Sequence, residues 1–350
     1  MISMVTRDTT KIDQPWPDEG LEQVKCCPYC NSSERMLAHR DVQDWSFYHA
    51  PGKWTYWSCT QCNSLYLSPR PTPETLGQAY GSYYTHRVAD RDSLAVRVRE
   101  RLKNECWSHW LRTDLHPRLH IPSRLSWLLY PFKSRLPEPF EIAELVKLPA
   151  GKLMDVGCGN GYTLSLAKRL GWQAMGLEVD PSAVRVARAQ GLYIQQGSYA
   201  RLADLRQVFD CIICSHVLEH VHDPQDMLHR LAGALNPGGT LLLSLPNATS
   251  LVRSHFGDNW RGLEAPRHLS IPSMSQLETN LREIGFSVRQ RQLNHLWTAA
   301  ESSRIQRRGI RINAHDKAVA KMLAANAALS SDRRYDFVQF ICVRDRHRVF

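Results

Sequence analysis

The chain has 350 residues, 43% hydrophobic, 22% charged and 9% aromatic, with ten cysteines and a formal net charge of +10. That composition excludes a disordered, collagen-like or coiled-coil chain and predicts a soluble globular protein of about two domains. No stretch approaches the roughly 20 apolar residues of a membrane span, and the first residues carry no apolar core of signal length, so a cytoplasmic protein is expected.

The charge is uneven. Residues 1–85 carry a net −2, 86–140 a net +5, 141–300 a net +1 and 301–350 a net +6. The surplus favours a polyanionic partner, whether RNA, a phosphorylated substrate or an anionic membrane surface, without choosing among them.

The front of the chain holds two knuckles, Cys27-Pro28-Tyr29-Cys30 and Cys59-Thr60-Gln61-Cys62, separated by 28 residues. Two residues between thiols let a tight turn bring both sulfurs to one ion at about 2.3 Å. Between the knuckles, Trp45–Tyr48 alternates into Pro51-Gly52 and Trp54–Trp57 returns, which predicts a hairpin and hence a zinc ribbon over 22–68. Four thiolates, Cys27, Cys30, Cys59 and Cys62, close the coordination shell, so the zinc is expected to be structural. Cys26 is an alternative to Cys27, and His39 and His49 are weaker substitutes. Because residues 1–85 are net acidic, the ribbon is expected to dock on the following domain and not on nucleic acid.

Residues 69–140 read as a helical connector or lid. Pro69, Pro71 and Pro73 forbid a helix until Glu74. Tyr80, Tyr83, Tyr84 and His86 then form an aromatic cluster, read as packing or as a pocket cover. An Arg-rich helix runs to about residue 113. Trp107, Trp110, Trp127, Tyr130 and Phe132 among basic side chains suggest a lid, or a surface for lipid or a partner helix.

From 141 the pattern becomes short apolar strands alternating with helices, the signature of a parallel α/β sheet. The strand Lys152–Val156 runs into Gly157-Cys158-Gly159-Asn160-Gly161, a glycine turn at a strand's carboxyl end that lets backbone approach a ligand closely. A second strand, Ala174–Val179, carries Glu178, a carboxylate positioned to accept both ribose hydroxyls. The spacing is Gly-x-Gly-x-Gly preceded by Asp155. A pyrophosphate needs no acid at its mouth, whereas the ammonium of a methionine moiety does.

Through Leu153-Met154-Asp155-Val156-Gly157-Cys158-Gly159-Asn160-Gly161 the chain resembles the class I S-adenosylmethionine-dependent methyltransferases, over about 141–292 with a final strand near 336–344. The resemblance implies a Rossmann-like, seven-stranded α/β sheet in a domain over 141–350. It also implies S-adenosylmethionine as cofactor, held by Asp155, Gly157, Gly159, Gly161, Glu178, Val179, Ser198 and His216. Ser198 stands where many relatives have an Asp. Ser215-His216-Val217-Leu218-Glu219-His220-Val221 matches the Glu-His motif of ubiquinone and menaquinone biosynthesis methyltransferases and of several sugar methyltransferases.

Methyl transfer from a sulfonium mainly requires alignment and removal of one proton. His220 is the first candidate base and His268, in Asn259-Trp260-Arg261-Gly262-Leu263-Glu264-Ala265-Pro266-Arg267-His268-Leu269, is the second. Glu219 and Arg267 are assigned to the substrate, Arg267 for a phosphate or carboxylate. Residues 293–335 form a basic insertion with one amphipathic helix at Lys317–Ala328, expected to close the pocket, dimerise or lie on lipid head groups.

The reading favours methyl transfer to a small-molecule acceptor: a glycan, lipid-linked or secondary-metabolite intermediate. The alternative is an RNA methyltransferase gripping nucleic acid with ribbon and connector. Against it, the fourth strand ends in Cys214-Ser215-His216-Val217, without the Asn/Asp-Pro-Pro-aromatic run of base-amine methylators. A binding protein that keeps the fold without turnover is the third reading.

Overall fold

The computed structural model describes residues 11–81, 94–133, 136, 139–293, 296–309, 311–329 and 335–346. Tyr83, Tyr84 and His86 lie outside them. The front of the chain forms β1 (Leu21–Glu22), β2 (Arg35–Val42), β3 (Trp54–Cys59), β4 (Leu65–Leu67) and β5 (Arg70–Pro71), then α1 (Leu94–Leu111) and α2 (Phe140–Leu145). The α/β run follows as β6 (Lys152–Val156), α3 (Tyr162–Arg169), β7 (Gln173–Glu178), α4 (Pro181–Ala189), β8 (Ile194–Gln196), β9 (Phe209–Ser215), α5 (Pro224–Ala234) and β10 (Leu235–Pro246). The chain then passes through α6 (Leu251–Phe256), β11 (Ser270–Ile271), α7 (Met274–Glu283), β12 (Phe286–Leu293), α8 (Leu296–Gln306), α9 (Ala314–Leu329) and β13 (Phe337–Arg344).

Seven strands make one sheet in the order β12-β13-β10-β9-β6-β7-β8. β6–β7 and β7–β8 pair in parallel, and β12–β13 antiparallel. This is the expected mixed α/β sheet. Its strands are apolar because both faces are covered: Leu153, Met154 and Val156 of β6 and Leu241, Leu242, Leu243 and Leu245 of β10 are all buried. The local signals act as expected at α4, where Asp180 Oδ1 accepts from Ser182 N at 2.8 Å and Pro181 opens the first turn.

A second sheet has the order β11-β4-β3-β2. The ribbon hairpin is β2 against β3, so its first arm is Arg35–Val42 and not the Trp45–Tyr48 segment that the aromatic alternation suggested. The reason is Asp44. Its carboxylate accepts from the backbone N–H groups of Phe47, His49 and Ala50, each at 3.0 Å, and winds 44–50 into a turn. The fourth strand comes from beyond the ribbon: β11 pairs with β4, Ser270 opposite Tyr66 and Ile271 opposite Leu65.

The chain divides into two compact units. One comprises Met1–Tyr83, Cys214–Ala232 and Leu243–Phe350; the other comprises Tyr84–Ile213 and Gly233–Leu242. Within the first, ribbon residues Val42, Trp54, Tyr56, Leu65 and Leu67 share a core with Phe256, Trp260, Leu263, Leu269 and Ile271, and with Ala299, Ala300, Ala320 and Leu323 of α8 and α9. The basic insertion thus contains two helices, one more than the sequence suggested. Within the second unit, Trp107 is buried and donates from its indole to Leu136 O at 3.0 Å, whereas Trp127 and Tyr130 are exposed. No helix among the described residues is long and apolar enough to cross a membrane.

The first unit buries Asp336, whose carboxylate accepts from Trp260 Nε1 at 2.8 Å and Ser250 Oγ at 3.4 Å. Burial outweighs these bonds and pushes its pKa from 3.8 up to about 7. The folded chain therefore keeps a proton there that the unfolded chain has lost, so this stabilisation is present below about 3.8 and fades as the pH rises towards 7. Urea unfolding between pH 4 and 8 should show a decline of up to about 1.4 kcal/mol per pH unit from this group. Asp336→Asn should flatten it; parallel profiles for the two proteins would contradict the assignment.

Candidate active site

The glycine turn follows β6 within the second unit. Gly157, Gly159 and Gly161 all have left-handed φ, at 73°, 53° and 79°. A side chain at Gly161 would be strained twice, since a Cβ there would also lie 2.3 Å from Leu192 Cδ1. Glu178, at the end of β7, fixes the turn. Its Oε2 accepts from Gly159 N at 2.8 Å and its Oε1 from Asp180 N at 2.9 Å. Each oxygen keeps a lone pair for a further donor. Asp155 is buried at the end of β6, and burial, then the nearby Glu141 and Glu178, raises its carboxyl well above the usual range. The structure thus brings Asp155, the three glycines and Glu178 together. Val179 is exposed beside Glu178, and Ser198 caps the following 3-10 turn by accepting from Ala200 N at 3.4 Å.

The histidine segment belongs to the first unit and follows β9. His216 has a left-handed φ of 57°, an uncommon backbone for a residue with a Cβ, and donates its N–H to Ser244 O at 2.8 Å. Its Nδ1 lies 3.4 Å from Glu219 Oε1, and Glu219 is fully buried. The His220 and His268 rings meet edge to face at 4.6 Å. His220 Nδ1 is 3.0 Å from Arg267 O and 2.9 Å from the Tyr80 hydroxyl. His268 Nδ1 is 2.7 Å from Gly262 O, and burial, opposed by Glu264, lowers its pKa to about 4. The His268 imidazole is therefore neutral at pH 7.

Arg267 is placed differently from the sequence reading, which gave it to a substrate anion. It has no exposed surface. Its guanidinium donates to Asp44 Oδ2 at 3.0 Å, Ala79 O at 2.9 Å and Glu264 Oε1 at 3.1 Å, and stacks on Phe47 at 4.5 Å. Burial works against the charge on Asp44, but Arg267 prevails and holds that carboxyl below its usual range. These donors are committed to the protein. Sequence reasoning missed Asp44 and Glu264; Glu264 stood three residues before Arg267 as a signal, whereas Asp44 had none.

The two cysteine knuckles are built alike. In each, the residue after the second cysteine is an Asn with left-handed φ, Asn31 at 60° and Asn63 at 59°, and its N–H donates to the first cysteine's carbonyl at 2.9 Å. Asn tolerates that backbone, so the thiols converge. Cys27 and Cys62 sulfurs lie 3.6 Å apart, and those of Cys30 and Cys59 lie 3.5 Å apart. Four thiolates around an ion at about 2.3 Å are separated by about 3.8 Å, so the cluster is compatible with a zinc ribbon. Cys27 and not Cys26 joins the group, and His39 is engaged by Asp258 at 2.7 Å.

Residues 133–291 match the family model described as a methyltransferase domain. The ubiquinone biosynthesis O-methyltransferase of Xanthomonas campestris pv. campestris (strain B100) is 37% identical over 115 residues, 31% of this chain and 48% of that protein. Its counterpart in Xanthomonas oryzae pv. oryzae (strain PXO99A) is 35% identical over the same shares. The chain spans about half the length of the curated relatives it matches. A solved S-adenosylmethionine-dependent methyltransferase from Archaeoglobus fulgidus is 18% identical with a TM-score of 0.43, covering 62% of this chain and 99% of that one. Over residues 133–291 the chain is thus similar to a methyltransferase domain, and S-adenosylmethionine is the cofactor that such a domain implies.

The residues present fit that cofactor. A buried Asp155 suits an ammonium, the left-handed glycines leave no side chain in the way, and Glu178 retains acceptor capacity for ribose hydroxyls. Glu178→Gln, which preserves volume, should weaken S-adenosylhomocysteine binding at least tenfold by calorimetry, with the sheet intact by circular dichroism. Unchanged affinity would remove Glu178 from the site.

Proposed function

We propose that this protein transfers a methyl group from S-adenosylmethionine to an oxygen of a small-molecule acceptor. The observation that carries this reading is the cradle in which Glu178 pins the left-handed turn at Gly159 beside a buried Asp155. The choice of oxygen is supported by the similarity to enzymes named ubiquinone biosynthesis O-methyltransferase. Bound there, the cofactor supplies an electrophilic methyl group on sulfur. Asp155 holds its ammonium and Glu178 its ribose, and the base that takes the acceptor's proton is His220. The Gly262 and Arg267 carbonyls orient the two imidazoles.

Methyl-labelled cofactor incubated with a panel of phenols and alcohols should give a labelled ether with one acceptor class. His220→Asn should lower turnover by about 10²–10⁴ while leaving cofactor affinity unchanged. Label appearing only on nitrogen or carbon, or no product with any class, would refute the oxygen assignment.

We further assign zinc to Cys27, Cys30, Cys59 and Cys62 in a structural role. Because the ribbon shares its core with residues up to Leu323, stripping the metal with a strong chelator should destabilise more than the ribbon. A fall in Tm of about 10 °C or more is expected, matching about 3–5 kcal/mol at 2–4 °C per kcal/mol. An unchanged Tm with the metal removed would contradict it.

A further inference from the structure

We infer that Tyr80, on the segment that leaves the ribbon, is a positioning residue for the base: its hydroxyl holds the His220 imidazole by a hydrogen bond that strengthens when the ring takes a proton. The inference rests on the methyl-transfer reading above, in which His220 is that base. The Tyr80 hydroxyl oxygen lies 2.9 Å from His220 Nδ1, and the two rings are tilted by 53° with centroids 6.1 Å apart. Both residues belong to the same compact unit.

The tautomer follows from the second neighbour of the same nitrogen. His220 Nδ1 also lies 3.0 Å from Arg267 O, and a backbone carbonyl only accepts. The proton therefore sits on Nδ1, where the N–H donates to both oxygens, and the bare lone pair is on Nε2. In the transfer step Nε2 takes the proton of the acceptor hydroxyl. The acceptor oxygen forms the C–O bond as the C–S bond breaks, and that electron pair stays on sulfur to give S-adenosylhomocysteine. His220 is left as an imidazolium whose Nδ1–H faces two oxygens. A hydrogen bond from a charged donor is about twice as strong as a neutral one. The Tyr80 contact is thus tighter during transfer than at rest, the condition for raising kcat without changing KM.

The ribbon side of the chain builds the turn that presents this hydroxyl. Tyr80 ends the 3-10 turn Leu76–Tyr80, which follows β5. At its start Thr72 O accepts from Leu76 N at 2.9 Å, and Thr75 Oγ1 donates to Gly20 O at 2.7 Å. At its end Ala79 is buried, and its carbonyl accepts from Arg267 Nη1 at 2.9 Å. The next residue passes so close to the 44–50 turn that a Cβ on Gly81 would lie 2.2 Å from His49 Nε2. Arg267 thereby touches the arrangement twice, its side chain gripping Ala79 and its carbonyl gripping His220. Neither packing nor covering a pocket requires the hydroxyl that meets His220 here.

Tyr80→Phe keeps the ring and removes only that hydroxyl. Nuclear magnetic resonance of the full chain, ribbon zinc in place and histidines labelled with nitrogen-15, reads the contact without turnover. His220 is assigned by the signals lost in His220→Asn. In Tyr80→Phe the His220 Nδ1 proton should exchange with water about tenfold faster than in the wild type, with Tm unchanged. Turnover with the phenol or alcohol that accepts the labelled methyl group should fall about tenfold, while acceptor KM and S-adenosylhomocysteine affinity move by about twofold at most. In the His220→Asn background the same substitution should cost about twofold at most, because Tyr80 acts through the imidazole. Equal exchange rates in wild type and Tyr80→Phe would overturn the inference. So would an undiminished tenfold loss of turnover in the His220→Asn background. Faster exchange in a chain that binds no S-adenosylhomocysteine would instead overturn the methyltransferase reading and uphold the grip of Tyr80 on His220.

Discussion

The ion pair between Arg267 and Asp44 fastens one compact unit together. Neither partner is exposed, and a charge buried to that degree persists only if its counter-charge is held in place. Asp44 winds the turn between two ribbon strands, and Arg267 sits on the loop that ends in His268. Each is fixed by the other, and Glu264 balances what remains of the guanidinium's charge. Tyr56 of β3 tightens the same joint, with its hydroxyl 2.6 Å from Leu263 O and 2.7 Å from His268 O.

The ribbon's part in the protein follows from that joint. Its first knuckle is gripped from outside: Gln225 donates to the carbonyls of Pro28 and Tyr29 at 3.1 and 3.2 Å, and Asn280 donates to Tyr29 O at 2.9 Å. Ser273 N donates to Ser64 Oγ at 3.0 Å beside the second knuckle. Polar groups of the cysteine knuckles are thus spent on docking.

The sheet and the glycine turn after β6 were legible in the sequence because their signals are local. Short apolar strands alternate with helices, Asp180-Pro181 announces its own helix start, and left-handed turns demand glycine at fixed spacing. The rest depended on distance along the chain. Trp45–Tyr48 alternates like a strand, but three hydrogen bonds to Asp44 curl it into a turn. α8 escaped because its buried residues, Thr298, Ala299, Ala300, Ser302, Ser303, Arg304 and Ile305, are mostly small or polar and nearly consecutive, which gives no clear apolar period. Arg267 read as a surface anion binder because its partner lies 223 residues earlier.

The pairing of β4 with β11 carries a consequence for biogenesis. During synthesis the cysteine knuckles leave the ribosome complete, yet the edge of their small sheet waits for Ser270 and Ile271, made some two hundred residues later. At about 5–20 residues per second this is an interval of roughly 10–40 seconds. Throughout it the nascent ribbon presents an unpaired strand and an orphaned aspartate, so maturation of the amino-terminal module is governed by translation of the carboxyl-terminal half.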